Sequence, residues 1–392
     1  MHPSRRGFLL GSTAALTLGG ASLSVHAAET DSRFVLIFLR GALDGLSVVE
    51  PYGDANLKLW RPNLLLPEPG KPKGLNDLGG FWGLHPALKT MHALYLANDL
   101  LPIQAVAGPD RSRSHFQGQD MMEIGAETRM TSGWLNRIAA LLPANPNCDT
   151  AFTMASTSPL ILHGPAPTTT WDPFHPRPHV SAGFYENIVA MHANDKLTGA
   201  DLADGLRERR YIDRVLAGTS YNGVANGFPR LARAAARLLA APDGPRLAEL
   251  ELGGWDTHSG QVPRLADALA TLDAGVAVLR ADLSDVWSKT AILVLTEFGR
   301  TVRVNGAAGT DHGTGTVAFL MGGAVAGGRV LVDWPGLAQG QLFEDRDLQP
   351  TLDIRAVAKG VIGPHFRLSP DNLATVFPGS EPVHAKSGLL KV

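Results

Sequence analysis

The chain has 392 residues, enough to bury a large hydrophobic core in one big α/β domain or in two smaller ones. Its apolar fraction of 44% and charged fraction of 18% are those of an ordinary globular protein and exclude an intrinsically disordered chain. A net charge of −2 argues against a nucleic-acid partner, and the single cysteine, Cys148, excludes an intramolecular disulfide.

Residues 1–27 have the pattern of a twin-arginine export signal. Arg5 and Arg6 precede an apolar run rich in alanine and glycine that ends near Val25, and Ala27 closes the best cleavage site. The run is too short and too rich in glycine to predict a spanning helix, although an uncleaved anchor is the alternative. We therefore expect the twin-arginine translocase to export the chain, and residues 28–392 to form one periplasmic domain without stable membrane insertion.

The first strand of the mature chain is predicted at residues 34–39, which are apolar at every position, as in a strand buried on both faces of a parallel sheet. Asp44 follows it and is well placed to bind a metal ion, although Asp44 and Gly45 together are also a common turn. A helix at 85–98 and a strand at 101–107 complete the first right-handed crossover.

Two serines and an arginine follow the strand at 101–107. Ser112, Arg113 and Ser114 precede a helix predicted at 117–127, whose free N-terminal amides and dipole favour an anion. This arrangement predicts an oxyanion site. The alternative is that one of the serines only caps the helix.

Hydrophobic periodicity predicts the remaining elements around a proline-rich insertion at 159–178, whose histidines we place at the surface. The predicted helices are 132–142, 197–216, 230–241, 262–283 and 353–362, and the predicted strands are 151–154, 247–252, 290–295 and 316–321.

Polar clusters follow two of these predicted strands, 247–252 and 290–295. The side chains concerned are Asp256, His258, Glu297, Arg300, Asp311 and His312. Sites in open α/β sheets lie beyond the carboxyl ends of the strands, and carboxylate with imidazole suits a divalent ion such as zinc. A surface ion pair between Glu297 and Arg300, and turn chemistry at Asp311 and His312, are the alternatives.

The order of these motifs resembles that of a bacterial family called domain of unknown function 1501. The motifs are Asp44-Gly45 after the first strand, Asp256-x-His258 after a late strand, Asp311-His312-Gly313 before the strand at 316–321, the export signal, and the Ser112-Arg113-Ser114-His115-Phe116 segment. The family looks like a divergent branch of the alkaline phosphatase and sulfatase superfamily. The resemblance implies an α/β fold with a mostly parallel central sheet, helices on both faces, two metal ions and a hydroxyl or formylglycine nucleophile.

The resemblance also implies roles for particular residues. Asp44 matches the ligand after the first strand, and Ser114 or Ser112 matches the nucleophile region. Read literally, Asp311 and His312 match the superfamily's Asp-His-Gly. By strand register, which we prefer, Glu297 takes that place instead.

On the preferred register, one metal ion is bound by Asp256, His258 and His312. Only Asp44 and Glu297 remain as ligands for the second ion, because Phe298 occupies the position where the superfamily has a histidine. The second site is thus incomplete.

The function implied is an exported, metal-dependent hydrolase of phosphate or sulfate esters. Its ion is expected to be zinc, with manganese or calcium as alternatives, and it would activate a water molecule or Ser114. Arg113 and Arg300 would clamp the small anionic ester. The alternative is a binding or assembly protein that has kept the fold and lost catalysis.

Overall fold

The computed structural model describes residues 31–174, 182–196 and 198–391. The predicted export signal, together with His175 and His179 of the predicted insertion, lies outside the described residues. No helix among the described residues is long and apolar enough to cross a membrane.

The strands agree closely with the apolar runs of the sequence. They are β1 (Arg33–Arg40), β2 (Val49–Glu50), β3 (Asn76–Asp77), β4 (Gly83–Leu84), β5 (Leu100–Ala107), β6 (Ala151–Thr153), β7 (Thr168–Thr170), β8 (Leu247–Gly253), β9 (Thr290–Leu295), β10 (Thr316–Met321) and β11 (Leu352–Asp353). The main strands predicted from apolar runs are confirmed as β1, β5, β8, β9 and β10. The small strands β2, β3, β4 and β7 were not predicted.

The predicted helices are present with bounds that differ by up to four residues, and the helices at 45–48, 57–60, 182–192 and 370–376 were not predicted. The helices are α1 (Gly45–Val48), α2 (Leu57–Trp60), α3 (Lys89–Leu96), α4 (His115–Ile124), α5 (Trp134–Ala139), α6 (Ala182–His192), α7 (Gly199–Leu216), α8 (Phe228–Ala240), α9 (Gln261–Asp282), α10 (Ile354–Phe366) and α11 (Pro370–Val376). Short 3₁₀ helices occupy Leu160–Leu162, Ser284–Lys289 and Gln339–Gln341. Helix α4 begins two residues earlier than predicted.

The central sheet has eight strands in the order β11-β5-β10-β9-β1-β8-β6-β7. β10 runs antiparallel to both of its neighbours, and the other described pairings in the sheet are parallel. The fold class is thus α/β with a mostly parallel sheet, as predicted. A separate three-stranded antiparallel sheet has the order β2-β4-β3.

Both faces of the central sheet are buried, which explains why β1 is apolar at successive positions. Val35 and Ile37 lie in one hydrophobic cluster with residues of α3, α8 and α9. Phe34 and Leu36 lie in a second cluster with residues of α5 and α10. Alternate side chains of a strand point to opposite faces, so helices cover both sides of the sheet.

The strand directions bring five chain segments to one edge of the sheet. β1, β8 and β9 are parallel, with Arg40 opposite Gly253 and Phe38 opposite Leu295, so their carboxyl ends coincide. β5 ends at the same edge and β10 starts there, because β10 is antiparallel to β5 and β9. The segments after β1, β5, β8 and β9 and the segment before β10 therefore meet.

Candidate metal centre

Three imidazole rings converge on one carboxylate at this edge. The Nε2 atom of His258 lies 3.1 Å from Asp256 Oδ1, and that of His312 lies 3.3 Å from the same oxygen. The Nε2 atom of His115 lies 3.5 Å from Asp256 Oδ2. The four residues come from three separate segments between strands. His115 is the first residue of α4, which follows β5. Asp256 and His258 lie in the segment after β8, and His312 lies in the segment before β10.

Each ring is oriented by an acceptor at its other nitrogen. His115 Nδ1 lies 2.8 Å from Glu297 Oε1, and His258 Nδ1 lies 3.0 Å from Asp311 Oδ1. His312 Nδ1 lies 2.9 Å from the main-chain carbonyl of Arg113. Ionised carboxylates and carbonyls only accept hydrogen bonds, so each Nδ1 is the donor. In its neutral form each imidazole therefore turns an unprotonated Nε2 toward Asp256.

The geometry of these Nε2 atoms fits a bound cation. His115 Nε2 is buried and has no hydrogen-bond partner. The Nε2 atoms of His258 and His312 are only 3.1 Å apart, a contact between two lone pairs when both rings are neutral. His115, Asp256 and His312 offer ligand atoms that all lie within 4.8 Å of one another. Three imidazole nitrogens and one carboxylate are a ligand set that zinc accepts.

Asp256 is held in place by a buried arginine. Arg300 Nη1 donates to Asp256 Oδ1 at 2.6 Å, and its other nitrogens donate to the carbonyl and hydroxyl of Thr310. Burial alone would raise the pKa of Asp256, but the hydrogen bond and charge of Arg300 outweigh it and lower that pKa. Asp256 is thus ionised at neutral pH, as a ligand must be.

The pKa values of two of the histidines are shifted in opposite directions. The hydrogen bond that His115 donates to Glu297 raises the pKa of His115. Burial lowers the pKa of His312. The pKa of Glu297 itself is lowered, because the hydrogen bonds from His115 and Gln119 outweigh its burial.

Two glycines allow the segments to approach each other this closely. Gly41 has a φ of +122°, and a Cβ atom there would lie 2.8 Å from the backbone nitrogen of Asp256. A Cβ atom on Gly309 would lie 2.4 Å from the carbonyl oxygen of Thr257. Larger residues at either position would displace the segment that carries Asp256 and His258.

Asp44, predicted as a ligand of the second ion, is instead paired with an arginine. Asp44 is buried, and its Oδ2 accepts hydrogen bonds from Arg61 at 2.7 Å, from Ser47 at 2.8 Å and from Gln261. Its charge is therefore balanced by Arg61, and this pairing lowers its pKa despite complete burial. No pattern in the sequence indicates Arg61 as its partner.

Glu297 does not face a second ion either. Its Oε1 accepts from His115, from Gln119 Nε2 and from the backbone amide of Gly41, and its Oε2 accepts from Thr296. Phe298 stacks on His115 with ring centroids 5.1 Å apart. The second metal site predicted from Asp44 and Glu297 therefore does not fit the structure.

Asp311 has an orienting position rather than a ligand position. Its Oδ1 accepts from His258 Nδ1 and from Asn305 Nδ2, and these hydrogen bonds lower its pKa despite some desolvation. Its neighbour His312 directs Nε2 toward Asp256, whereas the carboxylate of Asp311 contacts Nδ1 of His258.

The anion clamp predicted for Arg113 and Arg300 does not fit their contacts. Arg113 pairs with Glu344 and with the buried Asp347, at 2.8 Å from the latter. Arg300 has a fully buried side chain and is bonded to Asp256 and Thr310. Both guanidinium groups therefore hold protein carboxylates.

Ser114 is the residue before α4 and lies next to His115 in the chain. Its backbone has the extended conformation of a helix cap, but its side chain makes no capping hydrogen bond. Ser112 Oγ instead bonds to Asp110 at 2.7 Å. The capping alternative is thus not seen for Ser114.

His115 is the site residue that sequence reasoning missed. It was part of the Ser112–Phe116 segment, but it was given no role because the helix was predicted to begin at Gln117. A histidine just after the end of a buried parallel strand is the signal that could have identified it.

Comparison with known proteins identifies the family of the chain and finds distant similarity to several solved structures. The family model described as "Protein of unknown function (DUF1501)" matches residues 98–377. No curated protein matches the chain. Among solved structures, the chain is similar to the lipoteichoic acid synthase LtaP from Listeria monocytogenes, with 10% identity, coverage of 80% of this chain and 69% of the other, and a TM-score of 0.34.

Two further similar structures were solved with metal ions. A mutant of TAB5 alkaline phosphatase with magnesium bound has 12% identity, covers 74% of this chain and 90% of its own, and gives a TM-score of 0.34. The C-terminal periplasmic domain of EcEptC from Escherichia coli, in complex with zinc, has 11% identity, covers 76% of each chain and gives a TM-score of 0.35.

Proposed function

We propose that this chain, which belongs to the DUF1501 family, binds one divalent ion and hydrolyses phosphate or sulfate esters. The proposal is based on the chemistry of its site. The observation that carries the proposal is the convergence of three oriented Nε2 atoms on Asp256. We further propose zinc as the ion, with manganese or calcium as alternatives, and export to the periplasm directed by residues 1–27, which are then removed.

His115, His258, His312 and Asp256 would hold the ion. A bound divalent ion supplies Lewis acidity and a lower pKa for a coordinated water or hydroxyl. Glu297, Asp311 and the carbonyl of Arg113 fix the three rings and keep the proton on Nδ1, an arrangement that raises the affinity of histidine for metals.

Ser114 is the candidate nucleophile within the chain. It adjoins His115, and its hydroxyl makes no capping hydrogen bond that attack on an ester would have to break. The first-turn amides of α4 have no partner within the helix and favour an anion. The oxygens of a sulfate or phosphate group would accept from these amides while the hydroxyl of Ser114, or a water in its place, loses its proton and forms the new bond to sulfur or phosphorus. The bond from that atom to the ester oxygen breaks, and the alcohol leaves with a proton. Where Ser114 has attacked, a water molecule then hydrolyses the serine ester and releases sulfate or phosphate.

The proposal is tested on the purified mature chain, residues 28–392. We expect about one equivalent of metal by elemental analysis, set by one four-ligand site, and hydrolysis of aryl sulfates or phosphates that a chelator abolishes. His115→Ala should lose both. The matched control is His163→Ala, because the side chain of His163 is exposed and its ring contacts the carbonyl of Ser158, away from the metal centre.

The outcomes separate the two candidate functions. A mature chain that contains no metal and takes up no added zinc or manganese would refute the proposal. A metal-loaded chain that hydrolyses no ester would favour a binding or assembly protein of the same fold.

A further inference from the structure

We infer that the site takes a tetrahedral oxyanion carrying a single negative charge, as in a sulfate monoester or a phosphate diester, rather than a dianionic phosphate monoester. The inference deepens the proposed function and rests on it. It follows from how the charged side chains around Asp256 are paired.

The guanidinium groups around the site are matched or outnumbered by carboxylates. Arg300 is bonded to Asp256, and its side chain is fully buried. Arg113 lies between two carboxylates, Glu344 and Asp347, and Arg346 lies 3.8 Å from Asp347, so this group is charge-matched. Neither has a free charge with which to neutralise a second negative charge on a ligand.

Arg40, at the end of β1, shows the same excess of negative charge. It bonds to both Glu123 and Glu251, and Gln119 links it to Glu297 behind His115. Arg40, Glu123, Glu251 and Glu297 together therefore carry more negative than positive charge. A dianion bound at the neighbouring histidines would be repelled by this excess.

The immediate shell of the proposed ion has little positive charge left. Two positive charges of a divalent ion and one of Arg300 are met by the ligand Asp256 and by the orienting carboxylates Glu297 and Asp311. The centre is then close to neutral, with further carboxylates beyond it. At an effective dielectric constant of roughly 20, repulsion between two unit negative charges about 10 Å apart weakens binding on the order of tenfold.

The test measures binding to the zinc-loaded mature protein, so that it does not depend on turnover. Calorimetry compares phenylphosphonate, a dianion at about pH 8.5, with its monomethyl ester and with benzenesulfonate, which are monoanions. We expect each monoanion that binds to do so at least about tenfold more tightly than the dianion. The stronger of the two monoanions distinguishes a diester site from a sulfate site.

A charge variant tests the cause of the preference. Glu344→Gln removes one of the two carboxylates that hold Arg113 and should shift the preference several-fold toward the dianion. The matched control is Glu186→Gln, which breaks the exposed Arg210–Glu186 ion pair between α6 and α7 and should leave the preference unchanged.

The outcomes keep the two ideas apart. A chain that takes up neither zinc nor manganese refutes the proposed function, and this inference falls with it; a chain that takes up only manganese is tested in its manganese-loaded form. A zinc-loaded chain that binds phenylphosphonate as tightly as the monoanions, or that binds none of the three, overturns this inference while the metal site stands.

Discussion

Glu249 makes the stability of the fold depend on pH. It lies in β8 with no exposed surface, its Oε2 accepts from Thr153 Oγ1 at 2.6 Å, and its Oε1 has no partner. Burial, reinforced by the nearby charge of Glu251, raises its pKa from the ordinary 4.5 to about 8. Folding therefore favours the protonated form of Glu249.

The direction of the pH effect follows from this raised pKa. The stabilisation is complete below about pH 4.5, where Glu249 is protonated in both states, and it is lost as the pH rises through about 8. The difference of about 3.5 between the two pKa values corresponds to roughly 5 kcal/mol as an upper bound, and we expect a few kcal/mol after relaxation.

Glu249→Gln tests this reasoning, because an amide keeps the acceptor for Thr153 and cannot ionise. The thermal unfolding temperature of the variant should match that of the wild type near pH 5 and exceed it increasingly toward about pH 9. The control is Glu68→Gln at an exposed carboxylate whose lysine partners are 3.7 Å away. Parallel pH curves for Glu249→Gln and the wild type would refute the assigned protonation of Glu249.

The other predictions concern the site and export. Glu297→Gln should weaken zinc binding about 10- to 100-fold in chelator competition, because His115 loses its carboxylate partner; unchanged affinity would contradict the orienting role. Zinc affinity of the wild type should fall steeply below about pH 6.5, with His115 protonating first because its pKa is raised; a flat profile from titrations would count against imidazole ligands. Ser114→Ala should abolish turnover without changing metal content or Tm, since no capping bond is lost; retained turnover would exclude it as nucleophile. Replacing Arg5 and Arg6 by lysine should keep the precursor in the cytoplasm, as fractionation would show, whereas unchanged periplasmic yield would argue against the twin-arginine route.

The elements that the sequence predicted well are those in which local pattern and burial agree. β1 and β9 are apolar throughout because both faces of the sheet are covered, so their ends were located within one or two residues. Since parallel strands end at one edge, placing Asp256, His258 and His312 near each other required only the strand positions.

The residues that the sequence could not place depend on contacts between distant segments or on a helix boundary. Asp44 has the position of a ligand along the chain, but Arg61 reaches it from α2 and balances its charge. No periodicity reports such a pairing. His115 was missed because moving the start of α4 by two residues turns a loop side chain into one fixed at the sheet edge.

The connection between β9 and β10 is closed on itself by backbone hydrogen bonds. Gly299 and Thr314, Gly313 and Gly299, and Thr301 and Asp311 are bonded across it, and Arg300 pairs with His312 in an antiparallel bridge. Arg300 and His312 therefore move as one unit, whereas His115 and Asp256 belong to separate connections. An ion shared by these three connections would join them into one cooperative unit of unfolding, so metal loss should accelerate amide hydrogen exchange in all three at once.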